Sequence, residues 1–156
     1  MNGPTAPTIL YAEDDRDDRL LAGMAHRDSG VINPLVFVGD GREALAYLRQ
    51  TSGHADRLGA PRLGATQPAI VLLDLHMPGM SGLETLRAIK TDVLLRRIPV
   101  LILTSSTSAE DIGACYDAGA NSYAVKPTAA AGFVAFFEIL CRYWLSTVSL
   151  GLEVRP

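Results

Sequence analysis

Five short apolar runs punctuate the chain: TILYA (8–12), LVFVG (35–39), AIVLLD (69–74), PVLILT (99–104) and NSYAVK (121–126). Several are continuous rather than alternating, the pattern of strands covered on both faces. Between them apolar residues recur at helical spacing. Leu20, Leu21 and Met24 share a face, as do Ala44, Leu45 and Leu48 after Asp40-Gly41, and Leu83, Leu86 and Ile89 after Ser81. Ile112, Cys115 and Tyr116 form a fourth stripe, and Phe133, Phe137, Leu140 and Trp144 a fifth. Two helix starts have capping-box form, Ser81-x-x-Glu84 and Thr107-x-x-Glu110. Strand and helix thus alternate five times, which predicts an α/β domain built on a parallel sheet. The stretch 51–68, long and rich in Gly and Pro, reads as a flexible loop. Residues 1–7 read as a disordered lead-in, 8–147 as one domain and 148–156 as a tail.

Composition narrows the function classes. Of 156 residues, 48% are apolar and 20% charged, ordinary proportions for one globular domain. A net charge of −3 without a Lys/Arg run argues against nucleic acid as a partner. Cys115 and Cys141 lack CxxC spacing and read as buried, inert fillers of a reduced, cytoplasmic protein. His26, His54 and His76 show no metal spacing, and the first two read as surface residues. The N-terminal MNGPTAPT lacks the basic and apolar regions of a signal peptide. No window reaches the roughly 18 apolar residues of a membrane span. The longest candidate, AAAGFVAFFEILC, contains Glu138.

The chemistry gathers where strands end, because open parallel sheets bind ligands along that edge. The first run leads into YAEDDRDDR (11–19), in which five of nine residues are carboxylates. The third ends at Asp74, the fourth at Thr104-Ser105-Ser106 and the fifth at Lys126-Pro127. Asp74 would be repelled by the acids after the first strand, and a hard divalent cation relieves that repulsion. Magnesium favours one or two carboxylates plus waters and phosphate oxygens. A carboxylate so held, with an ammonium and a hydroxyl nearby, is suited to accept a phosphoryl group.

The set Glu13-Asp14, Asp74 followed by MPGMSG, Thr104-Ser105 and Tyr123-x-x-Lys126-Pro127 resembles the receiver domains of bacterial two-component response regulators. The resemblance runs from about Thr8 to about Tyr143. It implies a flavodoxin-like (βα)5 fold, a doubly wound parallel five-stranded sheet of order 2-1-3-4-5. It also implies that Asp74 is the phosphoacceptor, with Mg²⁺ (Mn²⁺ as an alternative) held by Glu13, Asp14, Asp74 and the backbone carbonyl of His76. Thr104, with Ser105 beside it, would be the switch hydroxyl. Lys126 would bind the phosphoryl group before a cis Pro127, and Tyr123 would turn inward as the aromatic switch. The implied partner is a sensor histidine kinase, and the chain would be a phosphoacceptor signalling protein rather than an enzyme.

More narrowly, SSTSAEDIGACYDAGANSYAVKP and FFEILCRYWLSTVSL resemble stand-alone receivers that pair with phytochrome-type kinases. The implied homodimer would use the C-terminal helix, with Phe136, Tyr143 and Trp144 as contacts, because their apolar surface exceeds one stripe. The few residues after Trp144 are too short for a DNA-binding domain, so output would pass through protein contacts or onward phosphotransfer. Two departures from the family stand out. Ser81 replaces a frequent Asp, and His76 brings an imidazole beside the acceptor that would alter dephosphorylation.

Each residue alone has a plainer reading. Acids at a helix start are favoured by its dipole, which suffices for Asp17 and Asp18 and leaves Asp15 on the boundary. Asp74 before Pro-Gly would be a turn residue, and a lone lysine is usually solvated. The joint arrangement carries the inference. An aspartyl-phosphate hydrolase would want an acid where His76 stands, and a flavin or nucleotide binder would want a Ser- or Gly-rich loop instead of five acids. A pseudo-receiver would not need all of Glu13, Asp14, Asp74, Thr104 and Lys126.

Overall fold

The computed structural model describes residues 6–52 and 67–152. Five strands, β1 (Ile9–Ala12), β2 (Leu35–Val38), β3 (Ile70–Leu73), β4 (Val100–Thr104) and β5 (Ser122–Val125), form one parallel sheet in the order 2-1-3-4-5. The helices between and after them are α1 (Arg16–Asp28), α2 (Gly41–Thr51), α3 (Gly82–Thr91), α4 (Ala109–Asp117) and α5 (Ala130–Leu140). A π-helical segment, Cys141–Thr147, continues α5. The five predicted strands and the doubly wound flavodoxin-like architecture are therefore present.

Alternation along the strands divides the core into two layers. Leu10, Ala12, Val71, Leu73, Val100 and Ile102 face α2, α3 and α4, meeting Leu48, Leu86, Ile89 and Cys115. Ile9, Tyr11, Ile70, Leu72, Leu101 and Leu103 face α1 and α5, meeting Ala22, Ala25, Phe133 and Phe137. All four residues of β3 are fully buried, which explains its unbroken apolar sequence.

Helix starts follow side-chain capping. Asp15 accepts from the N–H groups of Asp17 and Asp18, Asp40 from that of Glu43, and Ser81 and Glu84 complete the predicted capping box. The fourth helix differs from expectation. Its cap is Ser108 rather than Thr107, accepting from Asp111 N at 3.3 Å. Ser106 Oγ donates to Asp111 Oδ2 at 2.5 Å, and this bond fixes the later register.

The predicted stripe on α1 is also corrected. Leu20 and Met24 are largely exposed, whereas Ala22 and Ala25 are buried. α1 packs closely against α5, and small residues permit that approach where leucine would not. His26 is not a simple surface residue: Nε2 donates to the Asn33 carbonyl at 2.7 Å, and the ring meets Phe137 edge-on. The carbonyl of Pro7, within the expected lead-in, accepts from Asn33 Nδ2 at 2.9 Å. Residues 1–5, residues 53–66 of the expected loop including His54, and residues 153–156 of the expected tail lie outside the described residues. Among the described residues no helix is long and apolar enough to cross a membrane.

Candidate functional site

Ladder register assembles the site. Ala12 of β1 is paired with Leu73 of β3, so the next residues, Glu13 and Asp74, emerge side by side. Asp74 N donates to the Ala12 carbonyl at 3.1 Å, and Glu13 N to the Val38 carbonyl at 3.0 Å. Thr104 of β4 is paired with Val125 of β5, and Lys126 N donates to the Thr104 carbonyl at 2.8 Å. The β1–β3 and β4–β5 ladders thus deliver carboxylates and an ammonium to the same edge.

Carboxylate oxygens of Glu13, Asp14 and Asp74 lie within 4.8 Å of one another. Glu13 is fully buried and Asp74 nearly so. Lys126 Nζ stands 2.5 Å from Glu13 Oε2, 2.9 Å from Asp74 Oδ2 and 2.9 Å from Asp18 Oδ2. Burial pushes the Glu13 carboxyl up, and the nearby Asp74 charge adds to it, against hydrogen bonds from Lys126 and Asp15 N–H. Burial would lower the Lys126 ammonium, but its bonds to Asp18, Glu13 and Asp74 outweigh that and hold it above the ordinary lysine value. Lys126 therefore stays charged.

Thr104 is fully buried, and its Oγ1 has no hydrogen-bond partner among the described residues. A buried hydroxyl left so costs about 1–3 kcal/mol, and it points to an acceptor that arrives from outside. The donor set fits a hard cation: oxygen ligands, three carboxylates and a compensating ammonium.

Of the other expected site residues, His76 is exposed, and its N–H donates to Asp74 Oδ1 at 3.3 Å. Ser105 is exposed. Tyr123 is half-buried, and its hydroxyl donates to the Ser106 carbonyl at 2.9 Å. Pro127 is corrected: among the described residues no peptide bond is cis, so Lys126–Pro127 is trans. The trans form is intrinsically favoured by about 0.5–1 kcal/mol, and in it Lys126 already reaches its carboxylate partners.

Two residues of the site were missed in the sequence. Asp18, assigned to the helix start alone, reaches Lys126 from the first turn of α1. Its place in the first turn of α1, directly after the acids that end β1, was the available signal. Tyr11, fully buried, donates its hydroxyl to Glu13 Oε2 at 3.2 Å, while Asp15 N holds Oε1 at 3.0 Å. Burial, then the Glu13 and Asp74 charges, raise the Tyr11 hydroxyl well above its ordinary value. Nothing in the apolar run containing Tyr11 marked it as a polar partner.

The loop after β3 seats the acceptor. Gly79 has φ of 76°, the left-handed region glycine favours. At Gly82 a Cβ would run into the carbonyl of Asp74, and Gly82 N donates to the Leu75 carbonyl at 3.0 Å. The first turn of α3 thus lies directly on the acceptor's backbone.

Residues 9–137 match the model of the response regulator receiver domain. The chain belongs to this family. Among curated relatives, Response regulator Rcp1 of Synechocystis is 32% identical over 142 residues, 91% of either chain. The structure of RPA3017, a response regulator in red light signalling of R. palustris, is 36% identical with a TM-score of 0.82, covering 94% of this receiver and 99% of that chain. The phosphorylated cyanobacterial phytochrome response regulator RcpA is 36% identical with a TM-score of 0.79 and the same coverage. An Mn²⁺-bound form of Rcp1 superposes with a TM-score of 0.74 at 32% identity, covering 92% of this receiver and 98% of that chain. The receiver is therefore a response-regulator signalling protein related to phytochrome response regulators.

Proposed function

We propose that the protein accepts a phosphoryl group on Asp74 from a sensor histidine kinase and signals through protein contacts or onward phosphotransfer. The observation that carries this reading is the Asp74 carboxylate set between Glu13, Asp14 and the Lys126 ammonium at the sheet edge. In the transfer, an Asp74 oxygen forms a bond to phosphorus as the P–N bond of phosphohistidine breaks and its imidazole leaves. Lys126 neutralises charge on the phosphoryl oxygens, and the Thr104 hydroxyl donates to one of them. Tyr11 and Asp15 N hold Glu13 in place. Glu13, Asp14 and Asp74, with the His76 carbonyl, would hold Mg²⁺ or Mn²⁺. Such an ion supplies charge neutralisation between acceptor and phosphoryl oxygens.

Ser105, after β4, and Tyr123, on β5, respond as Thr104 turns toward the phosphoryl group. The unit formed by residues 8–147 acts in the cytoplasm, and its charge offers no footing for nucleic acid. The resemblance to Rcp1, RcpA and RPA3017 supports a phytochrome-type kinase as the partner. A homodimer through the C-terminal helix is supported by Ile139 and Tyr143, which are 67% and 52% exposed there. Phe136 and Trp144 contribute less, because both pack partly against the protein's own core.

The test is incubation with a small phosphodonor and Mg²⁺ followed by intact-mass measurement. One added phosphoryl group is expected, absent in Asp74→Asn and blocked by a chelator. No mass shift would favour a partner-binding pseudo-receiver, and steady turnover of a phosphate ester would favour a hydrolase.

A further inference from the structure

We propose that Asp18 is a positioning residue for Lys126, keeping the ammonium beside Asp74 when Glu13 is drawn into metal coordination. The inference rests on the phosphoacceptor reading. Two overlapping carboxylate sets meet at the site. Glu13, Asp14 and Asp74 form the set suited to a cation. Glu13, Asp74 and Asp18 form the set around Lys126 Nζ. Glu13 and Asp74 belong to both, and Asp18 serves the lysine alone.

That division has a consequence for competition. Lys126 and a divalent ion compete for the same two carboxylates, Glu13 and Asp74. A lysine on its flexible four-carbon stem is held by whatever anions surround it. With the ion bound, Asp18 is the remaining carboxylate of its set, so the ammonium is kept where it stands, 2.9 Å from Asp18 Oδ2 and 2.9 Å from Asp74 Oδ2, rather than released to water. Asp18 is itself fixed, because Asp15 Oδ1 accepts from both Asp17 N and Asp18 N at 2.9 Å and sets the first turn. Its side chain is 40% exposed, so the effect is screened and modest.

A helix-dipole role for Asp18 predicts a different outcome, since it would not depend on Lys126. The test is a double-mutant cycle of Asp18→Asn and Lys126→Ala. The readouts are Mg²⁺ affinity by calorimetry and, where Lys126 is present, phosphorylation rate with acetyl phosphate by intact mass. With Lys126 present, Asp18→Asn is expected to weaken Mg²⁺ binding and slow phosphorylation by about threefold, the scale of one partly exposed ion pair. In Lys126→Ala the same change leaves Mg²⁺ affinity unaltered. Asp17→Asn, on the same turn but with no bond to Lys126, leaves both readouts unaltered. Equal losses in both backgrounds, no loss in either, or the same loss from Asp17→Asn would overturn the proposal. Failure of the wild type to take up a phosphoryl group would sink the phosphoacceptor reading instead, whereas normal uptake by Asp18→Asn would sink only this inference.

Discussion

The Tyr123 hydroxyl is tied to the backbone carbonyl of Ser106, 2.9 Å away and just beyond the buried Thr104. Ser106 in turn donates through Oγ to Asp111 in the first turn of α4 and accepts there from Ser108 N. A strand-end hydroxyl, an aromatic ring and a helix start thus share one short loop. Tyr123→Phe removes a single neutral hydrogen bond and should cost about 1 kcal/mol in urea unfolding. Amide exchange at Ser106 and Ser108 should quicken while that of β3 stays unchanged. Unaltered exchange in the loop would show that the tie does not restrain it.

Thr104→Val separates stability from function. Replacing the orphaned hydroxyl by a methyl removes an unsatisfied buried group, so the unphosphorylated protein should gain about 1 kcal/mol. Its phosphorylation by acetyl phosphate should slow, because the donor to the phosphoryl oxygen is gone. A loss of stability would mean that Thr104 has an internal partner.

The thiols give a pH-dependent prediction. Burial raises Cys115 and pushes Cys141 up to about 11. At pH 8 only about one Cys141 in a thousand is then a thiolate, so the native protein should resist Ellman's reagent and both thiols should react in guanidinium. A raised native value means that the unfolded chain loses its proton first. Stability from this group is present below the ordinary thiol value of 9.0 and is lost as pH rises toward 11. Cys141→Ala should flatten the fall in melting temperature between pH 9 and pH 11, compared with wild type. Identical slopes would exclude Cys141 as the source.

His76→Asn should change the lifetime of the aspartyl phosphate, because the backbone N–H of residue 76, which donates to Asp74 in either protein, sets its exposed side chain next to the acceptor. Loss of phosphoryl group after donor removal, followed by mass, measures it. Equal decay in the two proteins would eliminate the imidazole as a factor.

Tyr143→Arg together with Ile139→Glu should convert a dimer to monomer in sedimentation, with melting little changed, because both side chains face solvent. Trp144→Arg would confuse the result, since that ring also covers the protein's own core. An unchanged mass would refute the C-terminal interface.

The strands were readable because a sheet covered on both faces needs unbroken apolar runs, and AIVLLD and PVLILT supply them. The main site residues were readable because the apolar runs of β1, β3, β4 and β5 each give way to a polar residue at the same sheet edge. Less was legible where a choice depends on a neighbour. Leu20 and Ala22 compete for the buried face of α1, and the closeness of α5 decides in favour of alanine. Thr107 and Ser108 both offer a cap, and the Ser106–Asp111 bond selects between them. Asp18 looked like a dipole-favoured acid until the fold brought Lys126 across 108 positions of sequence to meet it.

At Gly82, helix backbone bears on acceptor backbone with no side chain between them. Such a seat has no slack. Any side chain at position 82 would have to part the start of α3 from the Asp74 main chain. The helix is thereby anchored to the acceptor's main chain and not to its carboxylate.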